Sequence, residues 1–146
     1  MTSQDGTFRL QSHFDLLFIN PTLLTGALLA PGVTTREGNK AFGLLGGTAL
    51  QLYLQAEGLK REMSLEQISQ AVSQVAGKRN LAQRGFDLGI DKWICNNPSQ
   101  GSYISDKLMA TTMEAIVGAY FEDQGRAFGA LEKVVSVLGL GWPEKE

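Results

Sequence analysis

Few side chains here are placed to do chemistry. The acid to weigh first is Glu114. A carboxylate there could ligate a hard divalent cation or act as a general acid–base group. One carboxylate with the Thr111 hydroxyl would hold Mg²⁺ weakly, because that ion asks for several oxygen ligands in octahedral geometry. Other acids do not complete the set: Asp106 precedes the helix, and Glu122 and Asp123 lie two turns beyond Glu114, off its face and level. Glu37, in a loop before an earlier helix, is placed to reach over. A structural reading of Glu114 makes it a buried carboxylate hydrogen-bonded to Thr111, Asn39 or Lys40. The single histidine, His13, reads as a packing residue on an apolar helix. Cys95, near Trp93, reads as a half-buried hydrophobe, with no partner set for zinc. Tyr103 is a further polar candidate.

The elements that position these residues follow from periodicity and breakers. The pattern predicts helices over Leu10–Leu17, with Phe14, Leu17 and Phe18 along one side, and over Thr22–Leu29. A loop, Thr34 to Asn39, leads into a helix from about Lys40 to Ala56, with Gly58 as its stop. Ser64-Leu65-Glu66-Gln67 has capping-box form and opens a helix through Ala76. Arg79 to Leu88 makes another, stopped by Gly89. Asn96 to Gly101 is loop chemistry. Ser105 or Asp106 caps the helix that carries Glu114, which Gln124-Gly125 ends. A last helix spans about Ala127–Leu138. Trp142 is expected as a packing anchor. No strand-like alternation appears. The expected architecture is all-α, a single domain over 1–146 with about seven helices.

Gly43, Gly46 and Gly47 fall inside one of these helices. Each costs about 0.8–1 kcal/mol relative to alanine in a helix interior. Three in five residues require a reason, such as a close helix–helix seam. Phe42, Leu44, Leu45 and Gly46 are the candidates for a dimer seam or pocket.

Composition narrows the class. The chain has 146 residues, 43% hydrophobic and 19% charged, which is globular composition. No run approaches the ~18 apolar residues of a membrane span. A single cysteine forbids an intrachain disulfide and fits a reducing interior. The net charge of −2 and pI near 5.4 lack the basic surplus of a chain whose main task is gripping phosphate backbone. The best basic cluster, Lys78-Arg79 with Arg84, reads as a solvated helix end. No targeting segment is visible, so the expected location is intracellular, cytoplasmic or mitochondrial, with no membrane and no DNA partner.

Two segments, Asn39-Lys40-Ala41-Phe42-Gly43-Leu44-Leu45-Gly46-Gly47-Thr48-Ala49-Leu50 and Lys107-Leu108-Met109-Ala110-Thr111-Thr112-Met113-Glu114-Ala115-Ile116-Val117-Gly118-Ala119-Tyr120, resemble the two helical motifs of ribonuclease III domains. Between them, Val75-Ala76-Gly77-Lys78-Arg79-Asn80-Leu81-Ala82 and Leu88-Gly89-Ile90-Asp91-Lys92-Trp93-Ile94 resemble the family's connecting segment, so the likeness spans about Leu28 to Gly125. In that family each motif supplies two carboxylates that hold divalent metal over an RNA phosphate. Gly43, Gly47 and Thr111 stand at three of the four positions, and Glu114 alone keeps an acid. The form Asn-Lys-x-Phe-Gly-Leu-Leu-Gly looks like fungal ribonuclease III-like proteins, and degenerate members include mitochondrial ribosomal proteins. No double-stranded-RNA-binding domain is expected.

The resemblance implies a catalytically inactive, dimerising scaffold or subunit in RNA processing or a ribosomal assembly. Its partners would be a second copy, a protein or a structured RNA, and no cofactor is expected. A second reading is a weakly active double-stranded-RNA endonuclease with a rebuilt Mg²⁺ or Mn²⁺ site. A third is a repurposed valley that binds a small molecule in a pocket lined by Gly43, Gly47 and Thr111, or does non-nuclease chemistry there.

Overall fold

The computed structural model describes residues 3–144. Seven α-helices follow one another among them: α1 (Ser3–Phe14), α2 (Pro21–Ala27), α3 (Lys40–Lys60), α4 (Leu65–Ala76), α5 (Lys78–Asp87), α6 (Asp106–Asp123) and α7 (Phe128–Val137). Short 3-10 turns at Ile90–Trp93 and Pro98–Gln100 lie in the α5–α6 connector. The only pairing of β type among the described residues is a bridge of Leu29 with Cys95, where the Ala30 N–H donates to the Cys95 carbonyl and the Cys95 N–H to the Leu28 carbonyl. It pins the lead-in of α3 to that connector.

The core is built around α6. Met109, Ala110, Thr112, Met113 and the whole stretch Ala115–Tyr120 are buried, while Thr111 and Glu114 stay partly exposed. A helix apolar on nearly every side must be surrounded, and α2, α3, α5 and α7 all pack on it. Leu24, Leu50, Leu54, Leu81, Leu131 and Val134 fill the space between them.

Three local signals behave as their chemistry requires. Ser64 and Gln67 form both halves of the capping box of α4. Ser105 caps α6 by accepting from the Leu108 N–H. Gly89, at φ 73°, ends α5 in the left-handed conformation that glycine tolerates.

The first helix needs correction. It runs Ser3–Phe14 rather than Leu10–Leu17, and Asp15, at φ 51°, breaks it. Beyond Asp15 the chain alternates: Leu16 and Phe18 go inward, Leu17 and Ile19 outward. The buried face of α1 includes Thr7 and Gln11; Thr7 Oγ1 pairs with Thr25 Oγ1, and Gln11 Oε1 accepts from the Phe18 N–H. His13 is exposed, edge-on to the Phe14 ring at 4.7 Å. The end of α3 also moves: the helix continues to Lys60, and Gly58 is no cap but a contact point, where an added Cβ would lie 2.6 Å from Ile68 and 2.9 Å from Trp142. Trp142 is thus seated against α3.

Three long-range hydrogen bonds close the N-terminal third onto α6. The Asp123 carboxylate accepts from the Ile19 N–H at 2.8 Å and the Asn20 N–H at 2.7 Å. Buried Asn39 donates through Nδ2 to the Ala27 carbonyl at 2.8 Å and to Thr112 Oγ1 at 3.0 Å. No helix among the described residues is long and apolar enough to cross a membrane.

Candidate functional site

The two segments singled out in the sequence meet where α3 crosses α6. Gly43 faces Thr111: an added Cβ would lie 3.0 Å from the Thr111 methyl carbon. Gly47 faces Glu114: an added Cβ would lie 2.6 Å from Glu114 Oε2. Glu114 therefore leans into the volume that a side chain at position 47 would fill. Between these contacts, Gly46 packs directly on the α6 backbone.

The other oxygen of Glu114 is taken by a lysine. Lys78, at the start of α5, places Nζ 2.9 Å from Glu114 Oε1. The Glu114 side chain is only 14% exposed, whereas that of Lys78 is 70% exposed, so the ammonium covers the carboxylate from the solvent side. Neither Thr111, Asn39 nor Lys40 is its partner, contrary to the sequence-based expectation; Asn39 is committed to Ala27 and Thr112. The role of Lys78 was not legible, because the pair joins residues 36 apart on different helices.

The other acids do not converge on Glu114. Asp106, Glu37 and Asp15 are exposed, Glu122 is paired with Arg126 in the turn beyond α6, and Asp123 accepts from the Ile19 and Asn20 N–H groups ahead of α2. Among the described residues no group of three His, Cys, Asp or Glu side chains is gathered closely enough to hold a metal ion. The donors at the crossing do not fit a divalent cation: one carboxylate already bears an ammonium, and Thr111 turns its methyl toward Gly43.

The seam candidates divide. Phe42 is half-buried, with its ring against Gly26, and Gly46 is buried within the chain's own α3–α6 contact. Leu45 is half-buried, and Leu44 is 79% exposed. Leu52 and Leu59 extend that outward face and were missed. Their signal was present in the sequence: no charge occurs from Ala41 to Ala56. At its far end this face adjoins a groove between α3 and α4, lined by Leu59, Leu65, Ile68 and Val72.

This arrangement of helices is similar to the nuclease domain of ribonuclease III from Campylobacter jejuni. One crystal structure of that domain superposes with a TM-score of 0.77 at 17% identity, over 100% of both chains. A second, concerned with flexibility in the region involved in dimer formation, gives 0.76 at 17% identity over 89% of this chain and 94% of that one. The chain therefore has an all-α, ribonuclease III nuclease-domain-like fold. No protein-family model and no curated protein matches the chain.

Proposed function

We propose that this chain is a catalytically inactive ribonuclease III-like domain that serves as a dimerising scaffold or subunit in RNA processing or a ribosomal assembly. The observation that carries the reading is the state of Glu114. Its two oxygens contact Lys78 and the surface of Gly47 rather than a set of fellow carboxylates. Phosphodiester hydrolysis by metal ions needs those ions placed to stabilise the attacking and leaving oxygens. A paired, nearly covered carboxylate offers no such template, so neither Mg²⁺ nor Mn²⁺ is part of the function.

The scaffold half of the reading draws on α3. Leu44, Leu52 and Leu59 are 79%, 50% and 71% exposed on α3, the first two within its uncharged stretch from Ala41 to Ala56. These leucines, spaced by the exposed polar side chains Thr48 and Gln55, are the surface a partner would cover in this reading. A second copy offering the same face would form an isologous contact.

The test is an endonuclease assay on a long RNA duplex with Mg²⁺ and with Mn²⁺, with Glu114→Ala alongside and light scattering on the same preparation. The expected result is a dimer without cleavage. Metal-dependent cleavage that disappears in Glu114→Ala would overturn the proposal in favour of a rebuilt nuclease site.

A further inference from the structure

Leu140 still donates its N–H to the Val135 carbonyl, but beyond it the chain runs as a strap, residues 141–144, from the end of α7 to the end of α3. Among the described residues, none of 141–144 makes a main-chain hydrogen bond. Side chains hold the strap instead. The six-membered ring of Trp142 lies on Gly58 of α3, where an added Cβ would come 2.9 Å from Cζ3 and 3.0 Å from Cη2 of the indole. Ile68 of α4 bounds the same slot, 2.6 Å from that Cβ. Arg61 Nη1 donates to Glu144 Oε1 at 2.8 Å, and its guanidinium sits 5.9 Å from the centre of the Trp142 ring. Glu57 fixes the other side of that guanidinium through Nε at 3.0 Å.

A peptide docked in a groove is held in the same way: an aromatic anchor in a slot, a carboxylate on an arginine, and no share in a helix or sheet. Pro143 has no N–H to leave unpaired and biases Trp142 toward extended backbone. The groove is longer than the strap. A cavity of about 580 Å³ lies on one side, lined by Gln67, Gln70 and Gln74 of α4. Another of about 360 Å³ lies on the other, lined by Asn80, Ser136 and Gly139. Trp142 and Pro143 wall both, so the strap fills only the middle. The slot itself depends on Gly58, because a side chain there would close it. The strap leaves the body through two joints: Gly139, at φ 68°, and Gly141, where nothing lies within 4 Å of an added Cβ.

We propose that this groove docks an extended segment of a partner protein carrying an aromatic residue, a proline and an acid in that order, and that the strap occupies it in cis as a built-in competitor. The partner's ring takes the slot at Gly58. Its acid takes Arg61, which Glu57 keeps in place when the strap lifts. Its flanking residues run into the two cavities, where the glutamines of α4 offer amide groups to its main chain. The strap has no main-chain bonds to break, so the partner displaces side-chain contacts alone. Neither Glu114 nor the exposed leucines of α3 takes part, and the docking is independent of the lost-nuclease and dimer readings.

The probe is a dye-labelled peptide, Ala-Ala-Gly-Trp-Pro-Glu-Ala-Ala, titrated with the full chain and followed by fluorescence anisotropy. The Trp142→Ala chain, its strap unseated, is expected to bind the peptide saturably and about tenfold more tightly than the parent, the factor for a parent groove open about one-tenth of the time. Adding Gly58→Ala closes the slot and abolishes binding, with circular dichroism showing both variants folded. Absence of saturation on Trp142→Ala by about 1 mM overturns the proposal. Binding that survives Gly58→Ala overturns it too, as does equal affinity for parent and Trp142→Ala. Should Trp142→Ala fail to fold, Glu144→Lys decides, because that side chain is 70% exposed. Losing its ion pair with Arg61 loosens the strap and raises peptide affinity by about two- to fivefold, the worth of an exposed pair; unchanged affinity overturns the competitor role. Dimerisation of the parent that disappears in Trp142→Ala, read by sedimentation velocity, would make a second copy's strap the occupant and overturn the assignment to a different protein.

Discussion

Gly46 of α3 and Gly118 of α6 meet backbone to backbone: a Cβ on Gly118 would lie 2.9 Å from the Gly46 nitrogen, and one on Gly46 would lie 2.7 Å from the Gly118 nitrogen. The obstruction on each side is main chain, which cannot rotate away. Gly46→Ala or Gly118→Ala must therefore push the two central helices apart. Each is expected to cost about 3 kcal/mol, at the upper end of ordinary overpacking. Urea unfolding monitored by circular dichroism measures it, and a loss below 1 kcal/mol would contradict the close crossing.

Gly47→Ala should behave differently although it is the next residue. The nearest atom to its added Cβ is Glu114 Oε2, the end of a flexible side chain. The carboxylate can swing out, and alanine returns about 0.8–1 kcal/mol of helix propensity. Net stability should change by less than about 1 kcal/mol in either direction. The same unfolding experiment separates it from Gly46→Ala.

The Lys78–Glu114 pair gives a third prediction. Lys78 is mostly exposed and screened by solvent, so the pair itself contributes at most about 1 kcal/mol. Lys78→Met alone strands a largely covered carboxylate. The double variant Lys78→Met/Glu114→Gln removes the charge as well, and should be more stable than Lys78→Met alone. A double-mutant cycle in low and high salt reads the coupling, and no coupling at low salt would refute the pairing.

The outward face of α3 is tested by Leu52→Lys. Leu52 is half exposed, so the monomer fold should tolerate the change, with unchanged far-ultraviolet dichroism. In the proposed dimer a pair of lysines would be forced into an apolar contact. Sedimentation velocity is expected to show monomer for the variant and dimer for the parent.

Alkaline pH supplies a fifth. Burial raises the pKa of Tyr120, helped by Asp123, and burial with Glu57 and Glu132 raises that of Tyr53 against a lowering by Arg61. A phenol with a raised folded pKa favours the folded state while neutral. That contribution is complete below the unfolded value near 10 and is lost as pH rises through the folded values. Stability should therefore fall above about pH 10, and less steeply in Tyr120→Phe, which keeps the ring that meets Phe18 edge-on. Tyrosinate absorbance followed with circular dichroism checks both.

Much of this fold is written locally. Ser64 and Gln67, Ser105, and Gly89 mark helix ends through contacts within a few residues, and the apolar runs of α4 and α7 repeat at helical spacing. The failures come where distant contacts decide. The buried face of α1 includes Thr7 and Gln11, whose partners Thr25 and Phe18 make those polar side chains suitable for the interior. Apolar periodicity then pointed to Leu17, which lies on the alternating segment after the helix. Gly58 looked like a stop because its packing against Ile68 and Trp142 is tertiary. At the crossing, the sequence located Gly43, Gly47, Thr111 and Glu114 on facing helices, but nothing near Glu114 in the chain announced Lys78.

The bonds from Asp123 to Ile19 and Asn20, and from Asn39 to Thr112, carry a consequence for synthesis. The ribosome releases the first forty residues long before the helix they close upon. At ~5–20 residues per second, reaching Asp123 from Asn39 takes roughly ten seconds. During that interval Leu16, Phe18 and Leu24 have no surface to cover them, and the Ile19 and Asn20 amides have no carboxylate. The N-terminal third thus completes its packing only after translation has passed α6.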